Sequence, residues 1–268
     1  MDRPGFVSLV GAGPGRPDLI TVRGLRALEA AQVVLYDPVL EAGFRDLFPL
    51  HAQAAPVSRR NGGDAVAAQR LMIEHAAQGR RVVYLMEGDP LVFGPGGEVA
   101  EALEAAGIPF EIIPGISALQ TGAAAAGIPL LYPGLSRRLT ILEEGHLSGE
   151  DGPWCALAAE GGTLAVRLGA RRLGAFASTL LWHGAPPLTP VALVEDALGP
   201  EQVTTLSTLG VAAGGALRST TAGTGLLLVG AALGHRTHPE LPEAQPGDAP
   251  VPRGEWRSDQ DLGERRTG

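Results

Sequence analysis

Two glycine-rich turns, each placed directly after a short apolar run, restrict what this chain can fold into. The first, Gly11-Ala12-Gly13-Pro14-Gly15, follows the run 6–10, and the second, 87–94, follows the run 81–85. Glycine lets the main chain approach a ligand closely, and proline stiffens a turn. In an open α/β sheet, small ligands bind at the carboxyl ends of the strands. The two turns therefore predict a ligand site lined by main-chain groups.

Apolar runs rich in β-formers alternate with helical patterns, which indicates an α/β fold with a largely parallel sheet and helical crossovers. Thr21 is a candidate N-cap for the first helix. Strands are predicted near 6–10, 33–36, 81–85, 110–113, 139–143, 163–168, 191–194, 203–208 and 226–229. Helices are predicted near 21–31, 65–78, 97–106, 117–125 and 171–182.

The pattern changes at Pro114-Gly115, after which strands become more frequent and helices fewer. We therefore expect an N-terminal parallel α/β domain at 1–114, a mixed-sheet C-terminal α/β domain at 115–235, and a cleft between them. The segment 236–268 contains many prolines and charges and almost no aliphatic residues. Such a composition cannot bury enough apolar surface to offset its ordering entropy, so we expect a disordered tail.

Composition excludes several classes of function. The net charge is −8 and aromatic residues make up 4% of the chain, which argues against binding to nucleic acid or to an anionic membrane. All 21 basic residues are arginine, so neither a Schiff-base lysine nor a Walker-type phosphate lysine is available. Cys155 is the single cysteine, so no intramolecular disulfide is possible. No metal site is expected. The amino-terminal residues do not resemble a signal peptide, which favours the cytoplasm.

The first turn by itself leaves other interpretations open. Gly11-x-Gly13 could begin a dinucleotide-binding fingerprint, with Asp37 as the ribose-binding acid. That fingerprint requires a third glycine where this chain has Arg16, and the helix is predicted to begin only near Thr21. Either turn alone could also be purely structural, but the two together favour a ligand site.

A series of motifs occurs in order along residues 5–232. The motifs are Val10–Gly15 with Pro17–Thr21, Val34–Asp37, Gly88–Gly94 with Gly96–Glu98, Pro109–Ala118, Ala126–Leu130, Gly145-His146, Gly162–Leu164, His183-Gly184 and Thr189-Pro190 with Val194-Glu195. Together they resemble the tetrapyrrole (corrin/porphyrin) methylases, and among them most closely the uroporphyrinogen-III C-methyltransferases. The resemblance implies two α/β domains with S-adenosylmethionine as co-substrate in the cleft between them, a tetrapyrrole acceptor and a homodimer.

Matching positions in the family imply roles for particular residues. Asp37 matches the proposed proton acceptor, although it could instead cap the residues that follow its strand. Arg59 stands where the family has a lysine proposed as proton donor. Asp89 could contact the co-substrate or merely cap a turn. The residues implied to contact S-adenosylmethionine are Pro14, Glu87, Gly88, Asp89, Val92, Ser117, Ala118, Leu168 and Ala197.

Several positions depart from the family pattern. Glu87 replaces a glycine and adds a carboxylate near the predicted site, whereas Arg59 remains protonated and is therefore a poor acid. The remaining departures are Pro95 in place of arginine, Leu131-Tyr132-Pro133 in place of Thr-His-Arg, and Leu168 in place of methionine. The pairs Arg59-Arg60 and Arg137-Arg138 are candidates to bind acceptor carboxylates, although they could instead be solvated surface charges. Because most of these departures fall on the acceptor side, a paralogue with another acceptor and a non-catalytic binding protein stay open as alternatives.

Overall fold

The computed structural model describes residues 5–57, 62–143, 154, 157, 161–169, 172–217 and 224–237. Two five-stranded sheets, one on each side of Pro114-Gly115, organise the chain. The strands are β1 (Phe6–Gly11), β2 (Val33–Tyr36), β3 (Gln53–Pro56), β4 (Arg81–Met86), β5 (Phe110–Ile113), β6 (Leu139–Glu143), β7 (Thr163–Gly169), β8 (Pro190–Glu195), β9 (Val203–Thr208) and β10 (Thr224–Val229). The α-helices are α1 (Val22–Glu29), α2 (Glu41–Phe44), α3 (Gly62–Ala77), α4 (Gly96–Ala105), α5 (Ala118–Ala126), α6 (Leu173–Trp182) and α7 (Leu209–Ala213).

The first sheet has the order β3-β2-β4-β1-β5, and all of its strands run parallel. Successive side chains of each strand point to opposite faces of the sheet. On β1, Val7 and Leu9 join a core with α3 and α4, whereas Val10 joins a core with α1. Both faces are thus covered by helices, as the near-continuous apolar strands predict. The N-cap prediction is confirmed, because the Thr21 hydroxyl accepts a hydrogen bond from the Gly24 N–H at 3.1 Å.

The second sheet has the order β6-β7-β10-β8-β9 and is mixed, as predicted. Only the pair β6–β7 is parallel, and the remaining neighbours are antiparallel. One face packs on α6 and α7, and the opposite face packs on α5. Since β10 is antiparallel to both β7 and β8, and β6 is parallel to β7, the strands β6, β7 and β8 run in one direction. Their carboxyl ends therefore lie at the same edge of the sheet as the amino end of β10.

The structure adds elements that the sequence pattern did not predict. The edge strand β3 has the sequence Gln-Ala-Ala-Pro, which has little β-propensity, and it forms by parallel pairing with β2. The short helix α7 was also missed. Arg236 and Thr237, assigned to the disordered tail, hydrogen-bond instead to the main chain at the end of α5, at 2.7 and 2.8 Å. The rest of that segment, 238–268, lies outside the described residues.

Candidate active site

The two glycine-rich turns meet at the carboxyl edge of the first sheet. Gly13 and Gly88 exchange two main-chain hydrogen bonds, at 2.7 and 3.2 Å, and both have positive φ, +75° and +74°. Gly11 and Gly115 pack against the same point, where a Cβ on Gly11 would lie 2.7 Å from the Gly88 carbonyl oxygen. Three strand ends are therefore in direct main-chain contact, which only glycine at these positions allows. We call this contact of Gly11, Gly13, Gly88 and Gly115 the glycine junction.

The Asp89 side chain fixes the second turn to the segment that follows β5. One carboxylate oxygen accepts the Leu91 N–H at 2.8 Å, and the other accepts the Gly115 N–H at 3.0 Å. The turn-capping interpretation of Asp89 therefore holds. The same carboxylate also links the segments that follow β4 and β5, although β1 lies between these two strands in the sheet. Any contact with a ligand would be additional to these two bonds.

Asp37 is held at the end of β2 by the neighbouring turn. It is 3% exposed, and its Oδ2 accepts a hydrogen bond from the Glu87 N–H at 2.8 Å. Its side chain does not cap the short 3₁₀ helix that begins at Pro38, so the capping alternative is wrong. A buried carboxylate thus lies one residue away from Gly88.

The residue before Asp37, Tyr36, has a raised pKa. Burial is the main cause, and a hydrogen bond with Glu41 is the second, so Tyr36 stays a neutral phenol at physiological pH.

The amino end of α5 faces the glycine junction. Ser117 is the N-cap, 1% exposed, and the Gln120 side chain accepts the Ser117 N–H at 3.1 Å. A Cβ on Gly88 would lie 3.8 Å from the Ser117 Cα and 4.0 Å from the Ala118 nitrogen. Seven of the nine residues predicted to contact the co-substrate therefore come together here. These are Pro14, Glu87, Gly88, Asp89, Val92, Ser117 and Ala118.

The other two predicted contacts, Leu168 and Ala197, belong to the second sheet. Leu168 is fully buried and packs with the cluster on α6, whereas Ala197 packs against the α5 face. Both lie at the edge formed by the ends of β7 and β8. A ligand on the α5 face can thus reach Leu168 only through its main chain, and the two contacts stay predictions.

Arg16 connects the first turn to the second sheet, and sequence reasoning did not find this role. Its guanidinium donates to the Leu198 carbonyl oxygen at 3.4 Å and pairs with Asp18 at 2.7 Å. Hydrogen bonding from Arg16, together with its charge, holds the pKa of the Asp18 carboxyl below its ordinary value of 3.8. The sequence Arg-Pro-Asp places a cation two residues before an acid, and this spacing could have indicated the Arg16–Asp18 ion pair.

Backbone strain concentrates around the same region. Among the described residues, the non-glycine residues with positive φ are Phe93, Asp196 and Leu198, at 62°, 45° and 63°. Phe93 lies in the second glycine-rich turn, and the other two flank Ala197. Such conformations cost about 1–3 kcal/mol each and cluster at ligand sites.

Two groups assigned to the acceptor pocket lie elsewhere, which corrects the sequence analysis. Tyr132 pairs with Ser136 through the main chain, and the Ser136 hydroxyl contacts the Thr163 hydroxyl at 2.9 Å. Thr163 begins β7, so the segment 131–133 lies at the edge of the second sheet that is opposite Leu168. The Arg138 carbonyl oxygen accepts a hydrogen bond from the Thr163 N–H. Arg138 and its neighbour Arg137 therefore lie at the same edge of the second sheet as Tyr132. Their distance from the glycine junction follows from strand direction, which the motifs did not reveal.

Arg167 is a cation at the site edge that sequence reasoning missed. It precedes Leu168 on β7, so its side chain is on the α5 face, where it lies 3.8 Å from Glu143 and is 30% exposed.

Arg59 and Arg60, the other candidate cations, lie outside the described residues, as do Gly145, His146 and Cys155. Within the described ranges, no helix has the length and hydropathy of a membrane span, and no group of three metal-binding side chains occurs.

Comparison with known proteins assigns the family. The model for tetrapyrrole (corrin/porphyrin) methylases matches residues 7–213, which is most of the chain. The chain belongs to the tetrapyrrole methylases. The resemblance, the fold class and the expectation of a methyltransferase that uses S-adenosylmethionine as co-substrate are thereby confirmed.

Individual relatives agree with this assignment. A siroheme synthase of Azotobacter vinelandii is 41% identical over 210 residues, covering 76% of this chain and 45% of the relative. The chain thus spans about half the length of such relatives. Among solved structures, a uroporphyrin-III C-methyltransferase of Thermus thermophilus with a bound S-adenosylhomocysteine is 32% identical, with a TM-score of 0.72 over 86% of this chain and 100% of the other. A cobalt-precorrin-4 methyltransferase is 28% identical, with a TM-score of 0.71 over 85% and 95%.

We expect the Arg16 bridge to contribute to co-substrate binding. Replacing Arg16 with alanine should weaken S-adenosylhomocysteine binding about two- to tenfold, the contribution of one net hydrogen bond. Because the pKa of Asp18 is lowered, this carboxyl stays ionised above its ordinary value of 3.8, and the pair is lost only as the pH falls below it. Calorimetric titration at pH 5 and pH 8 should therefore give the same ratio between wild type and variant. Arg70→Ala, which breaks an exposed pair with Glu74 on α3, is the control, and an equal loss there would contradict the bridge.

Proposed function

We propose that this methyltransferase transfers methyl groups from S-adenosylmethionine to carbon atoms of uroporphyrinogen III, giving precorrin-2 on the branch toward siroheme and cobalamin. The observation that carries the proposal is the buried Asp37 carboxylate, which the Glu87 N–H fixes beside the glycine junction. The uroporphyrin-III C-methyltransferase and siroheme synthase relatives support this acceptor.

The residues at the glycine junction fit S-adenosylmethionine. Main-chain carbonyl and amide groups around Gly88, with half-buried Pro14 and Ala118, provide donors and acceptors for an adenosine and an amino-acid group. The Glu87 carboxylate is half-buried and suits a cationic ligand. When bound, the co-substrate supplies an electrophilic methyl group on a sulfonium centre, so the protein needs chiefly to align the partners and exclude water.

Asp37 supplies the acid–base chemistry of the proposed reaction. A pyrrole carbon of the reduced macrocycle donates an electron pair to the methyl carbon. The methyl–sulfur bond breaks, the neutral thioether S-adenosylhomocysteine leaves, and positive charge is left on the ring. A proton must then leave the macrocycle, and the Asp37 carboxylate accepts it. The main-chain bond from Glu87 orients this carboxylate. Arg59 in the proton-donor position would bind or orient an acceptor carboxylate rather than act as an acid.

Arg167 is our candidate to bind an acceptor carboxylate at the second sheet. We prefer it to the earlier candidates Arg137 and Arg138, because those two residues lie at the opposite edge of that sheet. A guanidinium binds a carboxylate through two parallel hydrogen bonds, and uroporphyrinogen carries eight such groups. The existing contact with Glu143 is long, at 3.8 Å, so an acceptor carboxylate can displace it.

Incubation under anaerobic conditions with methyl-labelled S-adenosylmethionine and uroporphyrinogen III tests the proposal. Label at two ring positions is the expected result. Absence of label, with S-adenosylhomocysteine bound in the same sample, would overturn this acceptor. The cobalt-precorrin-4 methyltransferase is structurally almost as similar, so a methylated precorrin-type corrinoid is the second acceptor to test.

We expect the charge of Glu87 to weaken acceptor binding. Glu87→Gln removes a carboxylate beside the site and keeps the Glu87 N–H bond to Asp37. Its KM for uroporphyrinogen III should fall about two- to fivefold, the effect of one partly solvated charge pair. Steady-state kinetics measures this change, with Glu101→Gln on the exposed face of α4 as the control. An unchanged KM would place the acceptor carboxylates away from Glu87.

The homodimer and the cytoplasmic location expected from the resemblance are also proposals. Light scattering coupled to size-exclusion chromatography measures the first, and cell fractionation measures the second. We likewise propose Pro114-Gly115, between β5 and α5, as the boundary between the two domains.

A further inference from the structure

A cavity lies on the first sheet, away from the glycine junction. It has a volume of about 320 Å³ and opens between α1 and the strands β1, β4 and β5. Its polar lining consists of Ser8, Arg23, Arg26, Arg81 and Glu111. None of these residues belongs to the proposed methyl-transfer site.

The cavity lies toward the opposite edge of the sheet. Ser8 is in the first half of β1, Arg81 begins β4, and Glu111 is the second residue of β5. The glycine junction follows the last residues of the same three strands. Glu87 lies six positions after Arg81, and Gly11 lies three positions after Ser8, which correspond to about 20 Å and about 10 Å along extended strands. A ligand in this cavity would therefore not touch the co-substrate.

Small and polar side chains explain why the cavity exists. α1 presents Ala27 and Ala30 to it, and neither fills the space between helix and sheet. Below them Ser8 interrupts the apolar run of β1, although it is only 7% exposed. A buried hydroxyl in place of an aliphatic side chain costs stability unless it is hydrogen-bonded. Its partner is the Glu111 carboxylate, at 2.9 Å.

The cavity carries excess positive charge in an acidic protein. Glu111 is already satisfied by the Ser8 hydroxyl and by Arg23, whose Nη2 and Nε lie 2.5 and 3.2 Å from it. In the described part of the chain, Arg26 and Arg81 form no ion pair, so the lining has a net charge of +2, from three arginines and one glutamate. The net charge of the whole chain is −8. Two guanidinium groups facing one cavity are a suitable arrangement for an anion.

We propose that this cavity binds a small organic anion with at least two negatively charged groups, carboxylate or phosphate. Arg26 and Arg81 pair with these groups, and Phe6 and Val83 contact the apolar part of the ligand. The volume is near the lower end of the range of about 300–1,000 Å³ typical of small-molecule sites. The proposal is independent of the methyl acceptor.

Anion titrations of the full chain test the proposal. We expect citrate or inorganic pyrophosphate to raise the thermal unfolding temperature and to give a saturable calorimetric isotherm, in buffers matched for ionic strength with sodium chloride. The stronger of the two ligands identifies the chemical class as carboxylate or phosphate. Arg26→Ala should weaken binding at least tenfold, whereas Arg70→Ala, an equal change of charge on another exposed helix face, should have no effect.

A charge-neutral variant separates cavity binding from general attraction. Ala27→Leu keeps all three arginines and fills part of the cavity, so it should abolish the isotherm. S-adenosylhomocysteine affinity should be unchanged in every variant, which shows that each one folds and keeps the glycine junction. The absence of a saturable isotherm with either anion, or equal binding by wild type and Ala27→Leu, would overturn the proposal.

Discussion

Replacing Asp37 with asparagine is expected to lower kcat for methyl transfer by about 10²–10⁴-fold, the usual contribution of a positioned acid–base group. The amide oxygen can still accept the Glu87 N–H bond, which measures 2.8 Å in the wild type. The local geometry should therefore survive while the proton acceptor is lost. Single-turnover assays with uroporphyrinogen III measure the rate, and calorimetry with S-adenosylhomocysteine should show nearly unchanged affinity.

Two further variants separate the chemistry of Asp37 from its structural role. Asp37→Ala removes the hydrogen-bond acceptor as well and leaves the buried Glu87 N–H without this partner, which costs about 1–3 kcal/mol. It should thus lose co-substrate affinity in addition to turnover. Asp46→Asn, at an exposed position, is the control. Transfer by Asp37→Asn at the wild-type rate would remove Asp37 from the mechanism and leave it a structural link between β2 and β4.

Replacing Gly115 with alanine should disrupt the glycine junction. Its Cβ would lie 2.8 Å from the Gly11 Cα and closer still to the Gly88 carbonyl oxygen. Since these are main-chain atoms, they cannot move aside without shifting a strand end. Overpacking of this kind costs about 1–3 kcal/mol or more. We expect a lower unfolding temperature and at least a tenfold loss of S-adenosylhomocysteine affinity, because the displaced turn carries Gly88 and Asp89.

Gly97→Ala is the matched control for this substitution. Gly97 lies in the first turn of α4, where a Cβ would meet nothing within 4 Å. Alanine there should leave co-substrate affinity unchanged and should slightly raise stability, since it has the higher helix propensity. If calorimetry and thermal unfolding give Gly115→Ala the same values as Gly97→Ala, the close contact of the three strand ends is not required for binding.

The local sequence determined the elements that depend on local pattern. Nine of the ten strands follow from β-rich apolar runs, and Thr21 caps α1 as its side-chain chemistry predicts. β3 is the exception, because Gln53–Pro56 has no strong propensity and forms a strand only by pairing with β2. Its stability comes from a neighbour that is distant in the sequence.

In the candidate site, too, some features follow from local sequence and others depend on the tertiary structure. Motif matching found seven predicted contacts that the structure brings together, since each motif is a turn at a strand end and parallel strands end at one edge. Matching also placed Tyr132 near the acceptor, and its charge made Arg137 a candidate there. Strand direction in the second sheet instead puts both residues at the opposite edge.

Sequence by itself therefore determined the fold class, the family and the turns at which the co-substrate is expected. Only the tertiary structure decided that Asp37 bonds to Glu87, that Arg16 reaches Leu198, and that Arg26 and Arg81 share a cavity. The physical reason is the range of the interactions. Turns and strands are encoded by neighbouring residues, whereas these contacts join residues about 50 to 180 positions apart, and only chain packing brings them together.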